Sequence, residues 1–203
     1  MSAARNASTP PPPGRHRRGA VAVEFGLVLM MLLMLMFGVI ELARLVYMFN
    51  TVQIASRRAA HAAINVDFSD PAAMAAVRQA AIFRQNPGGL IMGAPITDAY
   101  VRIDYLAQAR GSDGTLTRVP IPPANLPACP AGNRLACLID PNGASCISLV
   151  RVRICDPAST DDCTPVKYQT LLSFIPLPIK LPTAPIILPA QTLGFVPGTP
   201  PCR

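Results

Sequence analysis

The 203-residue chain is 51% hydrophobic and 14% charged, with 23 prolines and no Trp, a composition that suits one modest folded domain plus a membrane segment and argues against a multidomain enzyme. Its net charge of +7 is uneven, because four of the 18 basic residues (Arg5, Arg15, Arg17 and Arg18) crowd the first 19 positions without an acid, leaving 14 basic against 11 acidic residues elsewhere. No basic stripe interleaved with aromatics follows, so nucleic acid is not an expected partner.

Residues 1–14, MSAARNASTPPPPG, are small, polar and proline-rich, and read as a disordered leader. From Phe25 to Ile40 every residue is apolar or Gly. Those 16 residues rise only ~24 Å as a helix, short of a ~30 Å hydrocarbon core, whereas extension back to Ala20 gives 21 residues and a span. Arginines before the run predict a cytoplasmic N-terminus and an exported remainder. The extension includes Glu24, and a carboxylate at membrane depth costs about 2.5–3.5 kcal/mol on insertion scales.

Three readings of this segment compete. A cleaved secretory signal would have a shorter apolar run and a small-residue cleavage site. A plain signal anchor explains the arginines and the length but leaves Glu24 as a cost. The third reading gives Glu24 a partner. If the chain is cut after Gly19, Ala20 becomes the new N-terminus and Glu24 its fifth residue, followed by Phe25. This resembles the processing motif of type IV prepilins, in which an inner-membrane peptidase cuts after the glycine and the glutamate meets the freed α-amine of a subunit during assembly. An ammonium and a carboxylate are each costly alone in hydrocarbon and much less so together.

Residues 17 to about 60 set out Gly19, Val23, Glu24, Phe25, Phe37, Gly38, Glu41, Arg44, Ala55, Arg58 and Ala60. In these residues the chain is similar to the TadE-like family of pilus-assembly proteins. One departure is Met30 and Met31, where the family commonly has a proline; without it the helix should be straighter. Glu41 and Arg44, three apart on one helical face, can form a local ion pair. Leu42, Leu45, Val46, Phe49 and Val52 keep helical spacing while Asn50, Gln53 and Arg57 fall elsewhere on the wheel, so one helix is predicted over 20–64.

Asp70 as N-cap, Pro71 at the first helical position and the stop Asn86-Pro87-Gly88-Gly89 predict a second helix over 71–85. The period then changes to two. AYVRIDYL and GSDGTLTRVPI predict a hairpin, and residues 147–154 and 166–175 predict a further strand pair around the loop that holds Cys155 and Cys163. Between them, residues 120–146 are proline-broken and hold three cysteines, which predicts an irregular loop stapled by disulfides. The tail FIPLPIKLPTAPIILPAQTLGFVPGTPPCR is interrupted by proline every few residues and reads as an edge strand, an extended loop or a docking surface. Its apolar side chains either cover the domain's own core or form a patch for a neighbouring subunit.

All six cysteines (Cys129, Cys137, Cys146, Cys155, Cys163 and Cys202) lie in the last 75 residues with no CxxC pair, which suits disulfides in an oxidising compartment better than zinc; the alternative is reduced, buried thiols. Six cysteines allow 15 pairings, among which the near neighbours Cys137 with Cys146 and Cys155 with Cys163 stand out. Only His16 and His61 are available as imidazoles, and no metalloprotease, serine-hydrolase, P-loop or dinucleotide fingerprint occurs. Asp161 and Asp162 read as solvated loop acids, and Asp140, Asn142 and Gly143 lack the later ligands of a calcium loop.

The expected fold is therefore α+β: a leader over 1–19, a long pilin-like transmembrane helix over 20–64, and an exported domain over 65–203. That domain combines a short helix and a small antiparallel sheet with disulfide-stapled loops. The resemblance implies a non-catalytic minor pseudopilin of a tight-adherence (Flp) pilus and secretion system, single-pass in the bacterial inner membrane, with Gly19 and Ala20 as processing site and Glu24 and Phe25 in assembly. Its implied partners are the lipid bilayer, a prepilin peptidase, other pilins and the assembly machinery, with no cofactor or metal, and its implied setting is adhesion and biofilm formation. Two alternatives stay open: an uncleaved envelope protein whose disulfide-rich domain binds a partner, and a secreted enzyme or inhibitor released from its signal.

Overall fold

The computed structural model describes residues 18–159, 163–171, 178–198 and 202. The leader before residue 18, the acids Asp161 and Asp162, and residues 172–175 of the strand expected over 166–175 lie outside them. Two compact units divide the chain, Met1–Leu42 and Ala43–Arg203.

The first unit contains the leading part of α1 (Arg18–Ala63), a 46-residue helix without an internal proline. Leu and Met dominate its apolar stretch, residues that lose little side-chain freedom in a helix. From Val21 to Ile40 every residue is exposed, Val23 and Phe25 at 71% and 67%. By length and composition this helix can cross a membrane.

In the second unit the same helix becomes a core element. Met48, Val52, Ala55, Ala59 and Ala63 are buried at helical spacing, joined by Thr51, Ser56 and Ala60. Asn50, Gln53 and Arg57 are exposed as the wheel predicts, but so are Leu42 and Val46, for which the wheel predicts the inner face. The buried face is rotated toward the short side chains of Ala55, Ser56, Ala59 and Ala60, the last two of which belong to the hydrophobic core.

The second helix, α2 (Pro71–Ala81), starts as predicted, with the Asp70 carboxylate accepting from the amides of Ala72 at 2.8 Å and Ala73 at 3.3 Å. It ends four residues before the expected stop. Ile82 is fully buried, and Phe83 turns the chain with φ 62°, its ring lying under the Arg58 guanidinium at 4.5 Å. The pull of Ile82 into the core wins over the helix-compatible residues that follow.

A four-stranded antiparallel sheet completes the unit: β1 (Val101–Arg110), β2 (Leu116–Pro120), β3 (Leu149–Ile154) and β4 (Ile186–Pro189), in the order β2-β1-β3-β4. The predicted hairpin is β1 and β2, closed by Gly114 at φ 82° and by the Asp113 carboxylate, which accepts from the Thr115 hydroxyl and amide and is held below its ordinary pKa by those two bonds. The inner face of β1 and β3 places Val101, Tyr105, Ala107, Val150, Val152 and Ile154 in one core with α1 and α2. Burial pushes the Tyr105 hydroxyl well above the usual phenol range, and it donates to Met74 Sδ at 3.6 Å.

On the other face, the Asp104 carboxylate gathers Arg102 from its own strand at 3.2 Å and, across the β1–β3 register, Arg151 at 2.9 Å and Arg153 at 2.6 Å.

Two expectations are corrected. Strand β3 does not pair with residues 166–171, because β1 occupies one of its edges and β4, from the proline-rich tail, the other. Residues 166–168 instead bond to 179–181, Tyr168 N–H donating to Ile179 O and Leu181 N–H to Val166 O. The region 120–146 contains a helix, α3 (Pro130–Ile139), with Cys129 at its N-cap and Pro130 at its first position.

The tail supplies core as well as an edge. Leu181 and Leu193 are each 1% exposed, and Leu193 N–H donates to Ile64 O at the end of α1. Gly194 beside it has φ 81°, and an added Cβ would meet the Asp67 backbone at 2.5 Å, so the docking requires glycine.

Two substitutions test this packing. Ser56 Oγ is buried without a hydrogen-bond partner among the described residues, so Ser56→Ala should raise stability by about 1 kcal/mol in chemical denaturation. Asp104→Ala leaves three partly exposed guanidinium groups facing one another and should lower stability by about 2 kcal/mol in the same assay, less at high salt.

Candidate assembly and anchoring site

Two places on α1 carry groups that its own helix does not explain. The first is the N-terminal end. Gly19 is exposed, and a Cβ built on it would meet nothing within 4 Å. Gly19 is the second residue of α1, and among the described residues no neighbour requires the missing side chain there. Glu24 follows Ala20 by one helical turn, which sets the two positions on one face. Both Glu24 and Phe25 are exposed, and among the described residues Glu24 has no ion pair or hydrogen bond.

The second place is Arg44, 8% exposed. Its Nε donates to Met92 O at 3.1 Å, Nη2 to Ala94 O at 3.1 Å, and Nη1 to Gln169 O at 2.5 Å and to the Tyr168 hydroxyl at 3.4 Å. The guanidinium carbon also lies 5.2 Å from the centre of the Tyr168 ring. One turn further, the Tyr47 hydroxyl donates to Ile91 O at 2.9 Å. Only a planar fork reaches several carbonyls at once, which is why arginine rather than lysine suits the position. Sequence spacing singles out Arg44 only as a partner of Glu41; the four acceptors just named lie 48 to 125 residues away and leave no local signal.

The cysteines form three disulfides, Cys129–Cys202, Cys137–Cys146 and Cys155–Cys163, with Cα separations of 6.0, 4.8 and 4.9 Å. They tie α3 to the C-terminus, α3 to the approach to β3, and the two ends of the loop after β3. Both short-range pairs are those expected from spacing. Asp140 Oδ1 accepts from the Asn142 amide, a local turn bond. His61 is exposed and shares an open groove with Ile54, Arg57, Arg58, Val77 and Ala80.

Residues 19–61 match the family model described as TadE-like protein. The segment is thus similar to the TadE-like family. The match covers the groups just described on α1 (Gly19, Glu24, Glu41, Arg44 and Arg58) and stops before α2, so the remainder of the chain lies outside it. Neither the curated proteins nor the solved structures contain a match to the chain. A TadE-like segment points to a role in the tight-adherence pilus system, and an apolar helix that can cross a membrane agrees with a membrane-anchored component.

Removing the buried guanidinium strands four acceptors. Arg44→Ala should cost about 3 kcal/mol in urea unfolding of the detergent-solubilised chain, and Arg44→Lys, which restores charge without the fork, should recover only part of it.

Proposed function

We propose that the chain is a minor pseudopilin of a tight-adherence pilus, working by packing and pairing rather than by turnover. Helix α1 spans the bacterial inner membrane with residues 1–19 on the cytoplasmic side, and the unit that follows folds in the oxidising periplasm, where its three disulfides persist. A prepilin peptidase removes the leader after Gly19, whose missing side chain leaves the scissile bond open. Glu24 then meets the α-amine of a neighbouring subunit as that subunit enters the assembly. Glu41 and Arg44, three residues apart on α1, support one another as a local ion pair.

The observation that carries this reading is Glu24 itself. It stands exposed in an apolar helix, one turn after Ala20 and inside the TadE-like match, with no partner among the described residues. A carboxylate placed there costs energy in lipid unless another molecule supplies a positive charge.

Intact-mass and N-terminal analysis of the membrane-extracted protein should give a mature chain that begins at Ala20, and Gly19→Val should retain the leader. A wild-type chain that keeps residues 1–19 would favour the uncleaved single-pass anchor instead. Glu24→Ala should leave membrane insertion unchanged and reduce pilus number, counted by electron microscopy; normal piliation of that variant would remove the pairing role.

A further inference from the structure

Arg44 follows Ile40, the last residue of the apolar run, by four residues, ~6 Å of helical rise. It is here that the folded unit hangs a loop on α1. Arg44 binds the carbonyls of Met92 and Ala94, and Tyr47 binds that of Ile91, so the backbone of 91–94 faces the helix. Leu90 and Ile96, at 6% and 1% exposure, root the loop in the core, and the bonds Leu90 N–H to Ile96 O and Ile96 N–H to Gly93 O hold it closed. The two largest side chains between those roots point the other way. Ile91 is 57% exposed and Met92 71%.

This display is built rather than frayed. Met92 sits at φ 54°, a left-handed conformation uncommon for a residue with a side chain, and its carbonyl accepts from Arg44 Nε. From Gly89 to Ile96 the loop contains no charged residue. Tyr47 combines a 40% exposed ring with an engaged hydroxyl, the residue type enriched where a span leaves the hydrocarbon. A second segment meets Arg44 through Gln169 O, and Leu171 just beyond it is 56% exposed. Apolar side chains and a tyrosine thus gather around the guanidinium of Arg44, which follows the apolar run by four residues in the sequence.

We propose that the Leu90–Ile96 loop is a lipid contact, in which Ile91 and Met92 enter the headgroup boundary of the bilayer that α1 spans. The inference rests on the reading of α1 as a span. It gives the folded unit a second attachment to the membrane besides the helix, and the unbranched, flexible Met side chain suits a disordered lipid surface.

The absence of Trp from the chain makes the test direct, because a single introduced Trp is the sole indole fluorophore. Full-length Met92→Trp, Ile91→Trp, Leu33→Trp within the apolar run and Leu138→Trp on α3 are each placed in phosphatidylcholine/phosphatidylglycerol vesicles containing acyl-brominated phosphatidylcholine. Trp at 92 or 91 should be quenched at least about twofold more than Trp at 138, which stands 75% exposed in the wild-type chain as Leu. Quenching at 33 but none at 91 or 92 overturns the lipid contact and leaves the span intact. No quenching at 33 overturns the span and the contact together. Equal quenching at 138 and 92 overturns the placement. Emission at 92 that shifts to the blue with protein density, without response to brominated lipid, assigns the loop to a second copy of the chain and also overturns the proposal.

Discussion

A buried guanidinium surrounded by carbonyl oxygens constrains the folded unit more than any single apolar contact. Arg44 has 8% of its surface in contact with solvent, so the loop at 91–94 and the segment at 168–169 must stay in place to supply acceptors to its guanidinium. Both are irregular, and neither has a sheet ladder against α1 to fix it. The arginine supplies the fixed point that backbone pairing supplies elsewhere. It also marks where α1 changes surroundings: exposed through Ile40, and from Arg44 onward part of a packed core.

From that point the helix is specified by smallness. Ala55, Ser56, Ala59, Ala60 and Ala63 contribute little hydrophobic area each, but they allow the larger Val, Ile and Leu side chains of the sheet and tail to fill the space against the helix. A small sheet with one buried face gains only modest stability from area alone, and the chain adds covalent restraints where regular structure is sparse. The Cys129–Cys202 bond closes a separation of 73 residues and pins the end of the tail beside the start of α3. In the entropic account a closure of that length stabilises by about 4 kcal/mol. The other two bonds close short loops and keep both approaches to β3 in register.

If the helix end is processed and the loop meets lipid as proposed, the two ends of the apolar run do different work. Glu24 would make the first half of α1 unstable alone in the bilayer and favour a neighbour. Tyr47, Ile91 and Met92 would fix the depth and tilt at which the folded unit presents itself to that neighbour.

Periodicity and punctuation in the amino-acid sequence determine much of the molecule. The 16-residue apolar run, Asp70 with Pro71, and the alternation Val101-Ile103-Tyr105 each impose local geometry through near-neighbour energetics, so α1, the start of α2 and the β1–β2 hairpin are legible there. Glycine at 19 and glutamate at 24 stand five residues apart in one short stretch of helix, a spacing the sequence displays directly. The rest depends on residues distant in sequence. The rotation of α1 toward its small face, the early end of α2 at Ile82, the choice of Ile186–Pro189 rather than 166–171 as the partner of β3, and the helix at Pro130–Ile139 are decided by which surfaces can be buried together. Arg44 shows the division most sharply. Its presence is plain in the sequence, but a charge takes whichever acceptors the finished fold leaves dry, and those lie up to 125 residues away.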